Sequence, residues 1–456
     1  MSDELPTAAR IEDPGIRALY RQENRWQAWL DVEAALALAE AEEGMIPPEA
    51  AKAIAGAARL DRLDRKRIEE GFARTGHTIV PLVWELGRVT GEPYGGFVHW
   101  GATTQNITQT GDLLVLREAQ RIFLRLIGKA LAAMADLAQK GAEMAIAART
   151  HGQHALPATF GLKPAAWIDE FLRHVERLRE AASRIFVAML GGGAGTFASF
   201  GGKGPWVASA LARRLGMEAM AIPSRTLYDH LAENILLWGL IAATSSRIAR
   251  EIYTLMKTEF GEVEEPVPEG TVGSSTMPQK RNPKLCQDII AAAAEIRAQV
   301  PLAFEAMGAE HEADRTASLL IEAAESRAAI AMGDMLSRLV AVLAGLKLDP
   351  ARMRKNLDLS GGLIMAEPVM LKLGGAIGRQ SAHDVVYEAA QEAFLKGKSF
   401  ADLLAADPRV RSHLDRAEIR ALLDPMGYTG LSKEMAREAA KRAREEAERI
   451  AKEGGK

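Results

Sequence analysis

Apolar residues recur at helical spacing along most of this chain. The first such segment is residues 16–44, with periodic positions Leu19, Trp26, Trp29, Leu30, Val32, Ala35 and Leu36. Longer, proline-poor segments of the same kind are residues 107–147, 164–189, 231–260, 283–300 and 301–345. Because long helices with no strand pattern between them are typical of helix bundles, the sequence predicts an all-α fold.

The positions of these segments predict three helical domains. Residues 107–349 hold the long helices and are expected to form an elongated central helix bundle. Smaller helical domains are expected at 1–106 and 350–456, and Pro350 marks the second boundary. The strongly charged segment 432–456 is interpreted as a solvent-exposed helix or a frayed end.

Composition narrows the class of protein. Hydrophobic residues make up 48% of the 456 residues and aromatic residues only 5%, which favours helices over a β-sandwich. The formal net charge of -3 gives no general attraction for nucleic acid or for an anionic membrane surface. The single cysteine, Cys286, excludes an internal disulfide and fits a reducing compartment. With no signal-peptide pattern and no long apolar run in the sequence, we expect a soluble, cytoplasmic protein.

Three histidines lie in the breaks between predicted helices, each near a glycine. They are His77, His99 and His151, and side chains in such breaks can converge on a shared cleft. The histidine spacings lack the ligand patterns of catalytic metal sites, and the sequence has no P-loop, no dinucleotide-binding glycine pattern and no nucleophile elbow. We therefore expect neither a metal nor an organic cofactor.

The segment 270–283 combines glycines, serines, cations and prolines. Gly270 and Gly273 allow its first part to move over a ligand. Its last part, Lys-Arg-Asn-Pro at 280–283, is typical of a helix start that is flanked by cations. Free backbone N–H groups, the helix dipole and these cations predict a binding site for a carboxylate. The alternative interpretation is an ordinary exposed turn between helices.

The same segment is similar to the signature loop of the fumarase/aspartase superfamily, GSSxMPxKxNP, and every fixed position matches from Gly273 to Pro283. Residues 99–105 (His-Trp-Gly-Ala-Thr-Thr-Gln) and 149–163 resemble the other two motif regions of that superfamily in order and spacing. The residues of these three motif regions are most similar to those of the branch that contains adenylosuccinate lyase and 3-carboxy-cis,cis-muconate cycloisomerase.

The resemblance implies an enzyme that removes a proton beside a carboxylate and expels a group from the next carbon. It assigns Ser274 as the base, with Ser275 as the other candidate, and His151 as the acid for the leaving nitrogen. Lys280 would stabilise the charge that develops on the substrate carboxylate. The residues implied to bind substrate are His77, His99, Thr103, Thr104, Gln105, Thr150, Ser275, Met277 and Asn282.

The resemblance also implies a small-molecule carboxylate substrate and a homotetramer in which each active site combines three subunits. Neither a nucleic acid nor a membrane is implied as a partner.

Two members of the branch fit different parts of the chain. Residues 98–103, 153–157 and 361–367 resemble the cycloisomerase, whereas histidine at both 77 and 151 resembles adenylosuccinate lyase. The phosphate-binding arginines of adenylosuccinate lyase are not evident, since Ala313 stands where arginine is expected. We therefore predict a carbon–nitrogen lyase that releases fumarate from an N-succinyl compound, with Arg315 or His230 contacting its distal end. The cycloisomerase is an alternative activity, and a non-catalytic, crystallin-like structural protein is a further alternative.

Overall fold

The computed structural model describes residues 11–267 and 274–454, and helices dominate it. Its α-helices, in chain order, are α1 (Ile16–Leu19), α2 (Gln22–Glu42), α3 (Pro48–Ala57), α4 (Arg65–Thr75), α5 (Val80–Thr90), α6 (Thr104–Gly141), α7 (Leu162–Ile185), α8 (Gly204–Leu215), α9 (Asp229–Leu255), α10 (Lys284–Glu305), α11 (Arg315–Gly345), α12 (Pro350–Leu357), α13 (Ala366–Ile377), α14 (Arg379–Lys396), α15 (Phe400–Ala406), α16 (Pro408–Arg411), α17 (Arg416–Leu422) and α18 (Ser432–Gly454). Short 3-10 turns occur at Leu60–Arg62, Tyr94–Phe97, Gly201–Lys203, Ala306–Gly308, Asp358–Ser360, Leu363–Met365 and Pro425–Tyr428.

The strands of the described chain are short and form separate pairs. β1 (Ala145–Thr150) pairs antiparallel with β2 (Gln153–Thr159) as a hairpin. β3 (Val187–Ala188) pairs parallel with β4 (Glu218–Ala219), and β5 (Val263–Glu264) pairs antiparallel with β6 (Lys347–Leu348). The prediction of an all-α helix bundle is therefore confirmed, with a small hairpin added to it.

The chain divides into two compact units, each built from three separate segments. The first unit consists of Met1–Leu126, Arg173–Ser245 and Ile289–Ser337, and the second of Ile127–Leu172, Ser246–Asp288 and Arg338–Lys456. The divisions fall inside α6, α7, α9, α10 and α11, so each of these helices contributes residues to both units. The predicted domains 1–106, 107–349 and 350–456 remain a prediction.

The core of the first unit gathers around α2. Trp26, Trp29 and Leu36 on α2 are buried together with apolar residues of α3, α5 and α8. Gly111 on α6 allows close packing here, because a Cβ at that position would lie 2.5 Å from Cδ1 of Trp29. The spacing of apolar residues in the sequence thus marked the buried face of α2 correctly.

The second unit has a core between α13, α14 and α15, to which Leu373, Val385 and Phe400 contribute. The charged C-terminal helix predicted from the sequence is present as α18, and most of its charged residues are exposed, but it is not frayed, since Ala440 and Ile450 are buried. The charged residues of α18 lie on its other face, and the alanine spacing provides a stripe that packs.

Two predicted boundaries are also wrong. Pro301 lies inside α10 instead of beginning a new helix, and the break comes at Ala306–Gly308. A proline removes one backbone donor, but neighbouring turns of a long packed helix can hold its conformation. The predicted helix at 107–147 ends at Gly141, where a Cβ would lie 2.6 Å from Cδ1 of Phe160 and where β1 soon follows.

Helix α11 is long and apolar enough, by length and composition, to cross a membrane. Its most apolar 18-residue window has a mean hydropathy of 1.5, and 72% of that window is buried within the folded chain. Burial of this kind is typical of a core helix.

Candidate active site

The first motif region opens onto a cavity within the first unit. The cavity has a volume of about 340 Å³, and α5, α6, α9 and α11 or their leading segments line it. Its polar lining residues are His77, Thr78, Thr104, Gln105, Thr108, Gln109, Asp112, Arg225, Tyr228, Asp314, Arg315, Ser318, Glu322 and Glu325. The structure therefore brings together three of the residues predicted to bind substrate: His77, Thr104 and Gln105.

His77 lies just ahead of α5 and contacts the start of that helix. Its Nδ1 lies 3.4 Å from the backbone nitrogens of both Ile79 and Val80 and accepts their N–H groups. Because Nδ1 is the acceptor, the hydrogen of the neutral ring lies on Nε2. His77 thus supplies a hydrogen-bond donor to the wall of the cavity.

The side chain of Gln105 is bonded within the protein. Its Nε2 lies 2.9 Å from the Tyr228 hydroxyl and 2.8 Å from the Arg225 carbonyl oxygen, and its Oε1 accepts from Arg225 Nε at 3.1 Å. Gln105 therefore holds Arg225 and Tyr228 in the cavity wall. Contact of Gln105 with a substrate carboxylate remains a prediction.

Thr103 is not among the residues that line the cavity. Its backbone N–H donates to Asn106 Oδ1 at 3.1 Å, and the same oxygen accepts the N–H of Gly192. Asn106 is fully buried, so it fixes the turn that leads into α6. This turn positions Thr104 and Gln105, which follow it.

His99 also lies outside the cavity lining, and it pairs with a buried carboxylate. Its Nδ1 lies 2.6 Å from Glu33 Oε1, and its backbone φ of 62° is in the left-handed region. Burial disfavours the charged ring, but the charge and hydrogen bond of Glu33 outweigh this effect and raise the pKa of His99. Glu40 lies further along α2 than Glu33 and is fully buried. Its burial and the charge of Glu33 raise the pKa of Glu40 to about 9.

Arg25 joins two carboxylates of the cavity wall. Its Nε and Nη2 donate to the two oxygens of Asp112 at 3.1 and 2.7 Å, and Trp29 Nε1 donates to the same carboxylate at 3.1 Å. Glu322 Oε2 lies 3.5 Å from Arg25 Nη2. Asp112 is therefore well paired, whereas Glu322 has the longer contact to a guanidinium that is already engaged.

Glu325 lies on α11 one turn after Glu322, and its Oε1 accepts from the Tyr20 hydroxyl at 3.0 Å. Burial and the charge of Asp112 raise the pKa of Glu325 to about 8. Burial, followed by the charge of Asp112, also raises the pKa of Glu322. Glu322 and Glu325 thus form an acidic wall of the cavity, and both carboxyl groups hold their protons more tightly than they would in water.

The second motif region forms the turn of the β1–β2 hairpin. Thr150 pairs with Gln153, so His151 and Gly152 are the two turn residues, with φ values of 53° and 77°. Positive φ at both positions defines a type I′ turn, which fits the twist of a hairpin. His151 is exposed at the tip of the hairpin in the second unit, and Thr150 beside it is exposed as well.

The turn end of the hairpin is tied to a buried carboxylate. Arg149 Nη1 and Nη2 donate to the two oxygens of Glu262 at 3.0 and 2.6 Å, and its guanidinium lies 4.8 Å from the ring centre of Phe260. Asn356 Nδ2 also donates to Glu262, at 2.8 Å. These bonds fix the strand that carries His151.

In the signature loop, the described residues begin at Ser274; Gly270 and Gly273 lie outside the described residues. Ser274 is half-buried, and its Oγ accepts the backbone N–H of Met277 at 3.1 Å. The Met277 carbonyl oxygen accepts the N–H of Lys280 at 3.0 Å. Successive turns therefore lead from the serine to the lysine.

The other predicted residues of this loop follow the same path. Ser275, Met277 and Lys280 are exposed, and Asn282 is half-buried.

The helix start after the loop differs from the prediction. Glu265, which is 3% exposed, accepts the N–H groups of Leu285 and Cys286 at 2.9 and 3.0 Å. Arg281 Nε lies 3.8 Å from Glu264 Oε1. The expected carboxylate site at the start of α10 is thus occupied by a carboxylate of the chain itself, because the sequence places Glu265 where it can cap the helix.

The acidic wall of the cavity was not predicted from the sequence, although a signal was present. Thr104, Thr108 and Asp112 recur at intervals of four residues, which places them on one face of α6. Glu322 and Glu325 recur at an interval of three in a helix that is mostly apolar. Polar residues at helical spacing within apolar helices indicate a lined cavity or a buried ion pair.

Comparisons with known proteins bear on the whole chain. A family model described as "Lyase" matches residues 9–298, and one described as "Adenylosuccinate lyase C-terminus" matches residues 362–439. N-acetyl-S-(2-succino)cysteine lyase of Enterococcus italicus is 40% identical over 416 residues, which are 91% of each chain. Adenylosuccinate lyase of Pyrococcus abyssi is 35% identical over 432 residues, which are 94% of this chain and 96% of the relative.

A solved structure agrees with these relatives. The 3-carboxy-cis,cis-muconate lactonizing enzyme from Pseudomonas putida has a TM-score of 0.87 and 34% sequence identity, over 98% of this chain and 100% of that one. The family model and the relatives thus cover the three motif regions and the helices that carry them. The chain belongs to the fumarase/aspartase superfamily of fumarate lyases, in the branch of adenylosuccinate lyase and 3-carboxy-cis,cis-muconate cycloisomerase.

Proposed function

We propose that this chain is a lyase that eliminates an amine from an N-succinyl, aspartate-derived compound and releases fumarate. A base removes a proton from the carbon beside one carboxylate, and the carbon–nitrogen bond of the next carbon breaks. The electron pair of the broken C–H bond forms the C=C bond of fumarate. The leaving nitrogen takes up a proton and departs as an amine.

The observation that carries this proposal is the environment of the Ser274 hydroxyl. Its Oγ accepts a backbone N–H at 3.1 Å, and the loop that contains it also carries the exposed cation Lys280. N–H donation and positive charge both favour the ionised form of an acidic group. A serine hydroxyl needs such activation to act as a base. Ser274 is therefore the favoured base over Ser275.

The geometry of His151 supports its assignment as the proton donor. A histidine at the tip of a tied hairpin is held in position, and histidine is the side chain that enzymes most often use for proton transfer. Expulsion of an amine requires a proton at the leaving nitrogen. Opening or closing a lactone involves a carboxylate leaving group, which needs no such donor, so His151 favours the lyase over the cycloisomerase.

Charge stabilisation in this proposal rests on side chains of the loop. Removal of the proton pushes charge into a carboxylate that is already negative, and preorganised donors supply the largest share of stabilisation in such reactions. Since Glu265 occupies the start of α10, we assign this role to Lys280 and Asn282.

The acidic wall of the cavity supports a substrate other than a succinyl-nucleotide. A phosphate near Glu322 and Glu325 would lie beside carboxyl groups instead of the guanidinium groups that usually hold a phosphate. Arg315 also lines the cavity, but it lies about two turns before Glu322 on α11, and the carboxyl group of Asp314 directly precedes it. We therefore propose a leaving group without a phosphate.

A second candidate is elimination of a thiol from an S-succinyl compound. The 40% identical relative from Enterococcus italicus bears the name of a lyase for an S-succinylated cysteine derivative. A thiol is far more acidic than an amine and can leave as a thiolate. Dependence of the rate on His151 therefore separates the two candidates.

We propose in addition that the enzyme is a homotetramer whose active sites combine residues of three subunits, as the resemblance implies. Sedimentation analysis of the purified protein tests this assembly, and a fully active monomer would contradict it.

A substrate panel tests the proposed function. The purified protein is mixed with small N-substituted aspartates, S-succinylated cysteine, adenylosuccinate and carboxymuconate. Release of fumarate is followed by its ultraviolet absorbance, and turnover of carboxymuconate by the loss of its own absorbance. We expect fumarate from an N-substituted aspartate and a large loss of that rate in His151→Gln. The matched control is His413→Gln, because His413 is exposed in the same unit and lies outside the motif regions.

Two outcomes would contradict the proposal. Turnover of carboxymuconate alone, with His151→Gln retaining the rate, would favour the cycloisomerase. No turnover of any compound by the correctly folded protein would favour the non-catalytic, structural alternative.

A further inference from the structure

The cavity of the first unit has two chemically different ends. Gln105 and Arg225 lie near the start of α6, with Arg225 bonded to the Gln105 amide. Asp112 lies seven residues further along α6, which corresponds to about 10 Å at the helical rise of 1.5 Å per residue. On α11, Arg315 and Glu322 are separated by the same interval. Two guanidinium groups, the Gln105 amide and the carboxyl group of Asp314 thus lie toward one end. Asp112, Glu322 and Glu325 lie together toward the other and form its carboxyl end.

The carboxyl end has fewer cations in direct contact than carboxyl groups. Asp112 and Glu322 share the single guanidinium of Arg25, which lies 2.7 Å from the first and 3.5 Å from the second. Glu325 is bonded to the neutral Tyr20 hydroxyl, not to a cation. A ligand that brings one positive charge would improve the charge balance of this end.

A buried donor in the cavity wall also lacks a partner among the described residues. Gln109 is 8% exposed and lines the cavity, and its Oε1 accepts from Gln105 Nε2 at 2.9 Å. Its own Nε2 makes no hydrogen bond within the described chain. Because buried donors are nearly always bonded, Gln109 Nε2 indicates a place for an acceptor atom of a ligand. Gln109 lies between Gln105 and Asp112 on α6, and so between the two ends.

We infer that the cavity selects a leaving group with a protonated amine at its far end, held by Glu322, Glu325 and Asp112. This inference rests on the proposed function, since it assigns the cavity to the leaving group of the succinyl compound. The expected substrate class is a succinylated diamine or a succinylated amino compound whose second amine is free. An acetylated amine at that place would carry no charge and would leave the carboxyl end without its ligand.

The raised pKa of Glu325, about 8, gives this inference an independent readout. At neutral pH a carboxyl group with this pKa holds its proton in most of the molecules, and a bound ammonium group favours its ionised form. Binding of a charged amine is therefore expected to release protons into the buffer. Calorimetric titration in two buffers of different ionisation enthalpy measures that release.

A pair of matched compounds tests the selection. N-(acetamidobutyl)aspartate carries an acetyl group that removes the charge of the distal nitrogen of N-(aminobutyl)aspartate, and N-pentylaspartate, with a methyl group in place of the ammonium group, controls for size. We expect kcat/KM to be at least about tenfold higher for the free amine, which corresponds to about 1.4 kcal/mol. Glu322→Gln and Glu325→Gln are each expected to move the ratio of the two kcat/KM values toward one.

Glu118→Gln is the matched control, because Glu118 lies on α6 with Asp112 but outside the cavity lining. It is expected to leave the ratio unchanged, and thermal melting of each variant identifies a folding defect. Equal or faster turnover of the acetylated compound by the unaltered protein would overturn the inference.

Failure of the proposed function would look different. If neither compound yields fumarate, the proposed function fails. The inference about the cavity is then tested by ligand binding alone. Calorimetry with diaminobutane and with N-acetyldiaminobutane then compares the two distal groups without any reaction. Tighter binding of diaminobutane, with proton release, would support the charge selection, and equal or absent binding would overturn it.

Discussion

The guanidinium of Arg149 and the carboxylate of Glu262 form two hydrogen bonds, of 3.0 and 2.6 Å, in the second unit. Glu262 has no exposed side-chain surface, and the Arg149 side chain is 12% exposed. The pair joins the strand before the His151 turn to the segment before the signature loop. Both motif regions of this unit therefore depend on one buried contact.

Loss of one partner of this pair is expected to destabilise the protein strongly. Glu262→Gln leaves the Arg149 charge without its counterion, and breaking a buried pair in this way typically lowers the free energy of unfolding by about 3–5 kcal/mol. The free energy of unfolding is measured by urea denaturation. Glu233→Gln, which breaks the more exposed pair of Glu233 with Arg184, is the control, with an expected loss under about 1 kcal/mol. Equal losses in the two variants would contradict the structural role of the buried pair.

Ser274→Ala is expected to reduce turnover by at least about 10³-fold, because the variant has no group to take the proton from carbon. Binding of substrate, measured by calorimetry, should remain. Ser275→Ala is the neighbouring control and is expected to have a much smaller effect. Near-normal turnover by Ser274→Ala would move the base elsewhere, with Ser275 as the first candidate.

His151→Asn separates catalysis from the stability of the turn. Asn followed by Gly is strongly preferred in type I′ turns, so the variant should melt at the same temperature as the unaltered protein or higher. Its elimination of an amine should fall by about 10²–10⁴-fold, since the proton donor is lost. Paired measurement of thermal melting and fumarate release checks both effects. A variant that retains turnover would exclude His151 as the acid.

The buried carboxyl group of Glu40 is expected to lower the free energy of unfolding of the protein as the pH rises. Its raised pKa of about 9 means that the folded protein holds this proton where the unfolded chain, with an ordinary pKa of 4.5, has released it. The stabilisation is fully present below the unfolded value and is lost as the pH rises through the folded value. Glu40→Gln resembles the protonated form and should raise the free energy of unfolding at about pH 8 by more than about 1 kcal/mol, and by less at about pH 5.

Urea denaturation at both pH values checks this expectation for Glu40. The control is Glu42→Gln on the same helix, because the hydrogen bond of Arg214 lowers the pKa of Glu42 and places its titration in acid. An unchanged pH dependence in Glu40→Gln would show that the carboxyl group is ionised in the folded state.

The helical part of this fold was predictable because it depends on local periodicity. The buried face of α2 follows from the spacing of Trp29 and Leu36, and that of α6 from the spacing of Leu113 and Leu116. The motif segments lie in the breaks between helices, except where the first two run into the starts of α6 and α7. The hairpin was missed because β1 and β2 are short and carry no strong alternation of apolar and polar residues. The helix boundary predicted at Pro301 was wrong because the packing that keeps α10 continuous is not visible in the local sequence.

The site was predictable to a smaller extent. Motif spacing indicated His77, Thr104 and Gln105, and the structure places all three in one cavity. The acidic wall required knowledge of which faces of α6 and α11 line that cavity, which the sequence of either helix alone does not contain. The capping of α10 by Glu265 was missed for a related reason, since a carboxylate outside the helix takes the donors that appeared free.

The four residues from Glu262 to Glu265 have a practical consequence for exchanging parts between relatives. Glu262 holds the hairpin and Glu265 holds the start of α10, so both anchors precede the loop. A chimera that replaces residues 266–283 keeps both anchors of this chain and is expected to fold. A chimera whose junction lies between Glu262 and Glu265 takes these two residues from different proteins. In such a chimera we expect either the hairpin or the start of α10 to lose its contact with the segment before the loop.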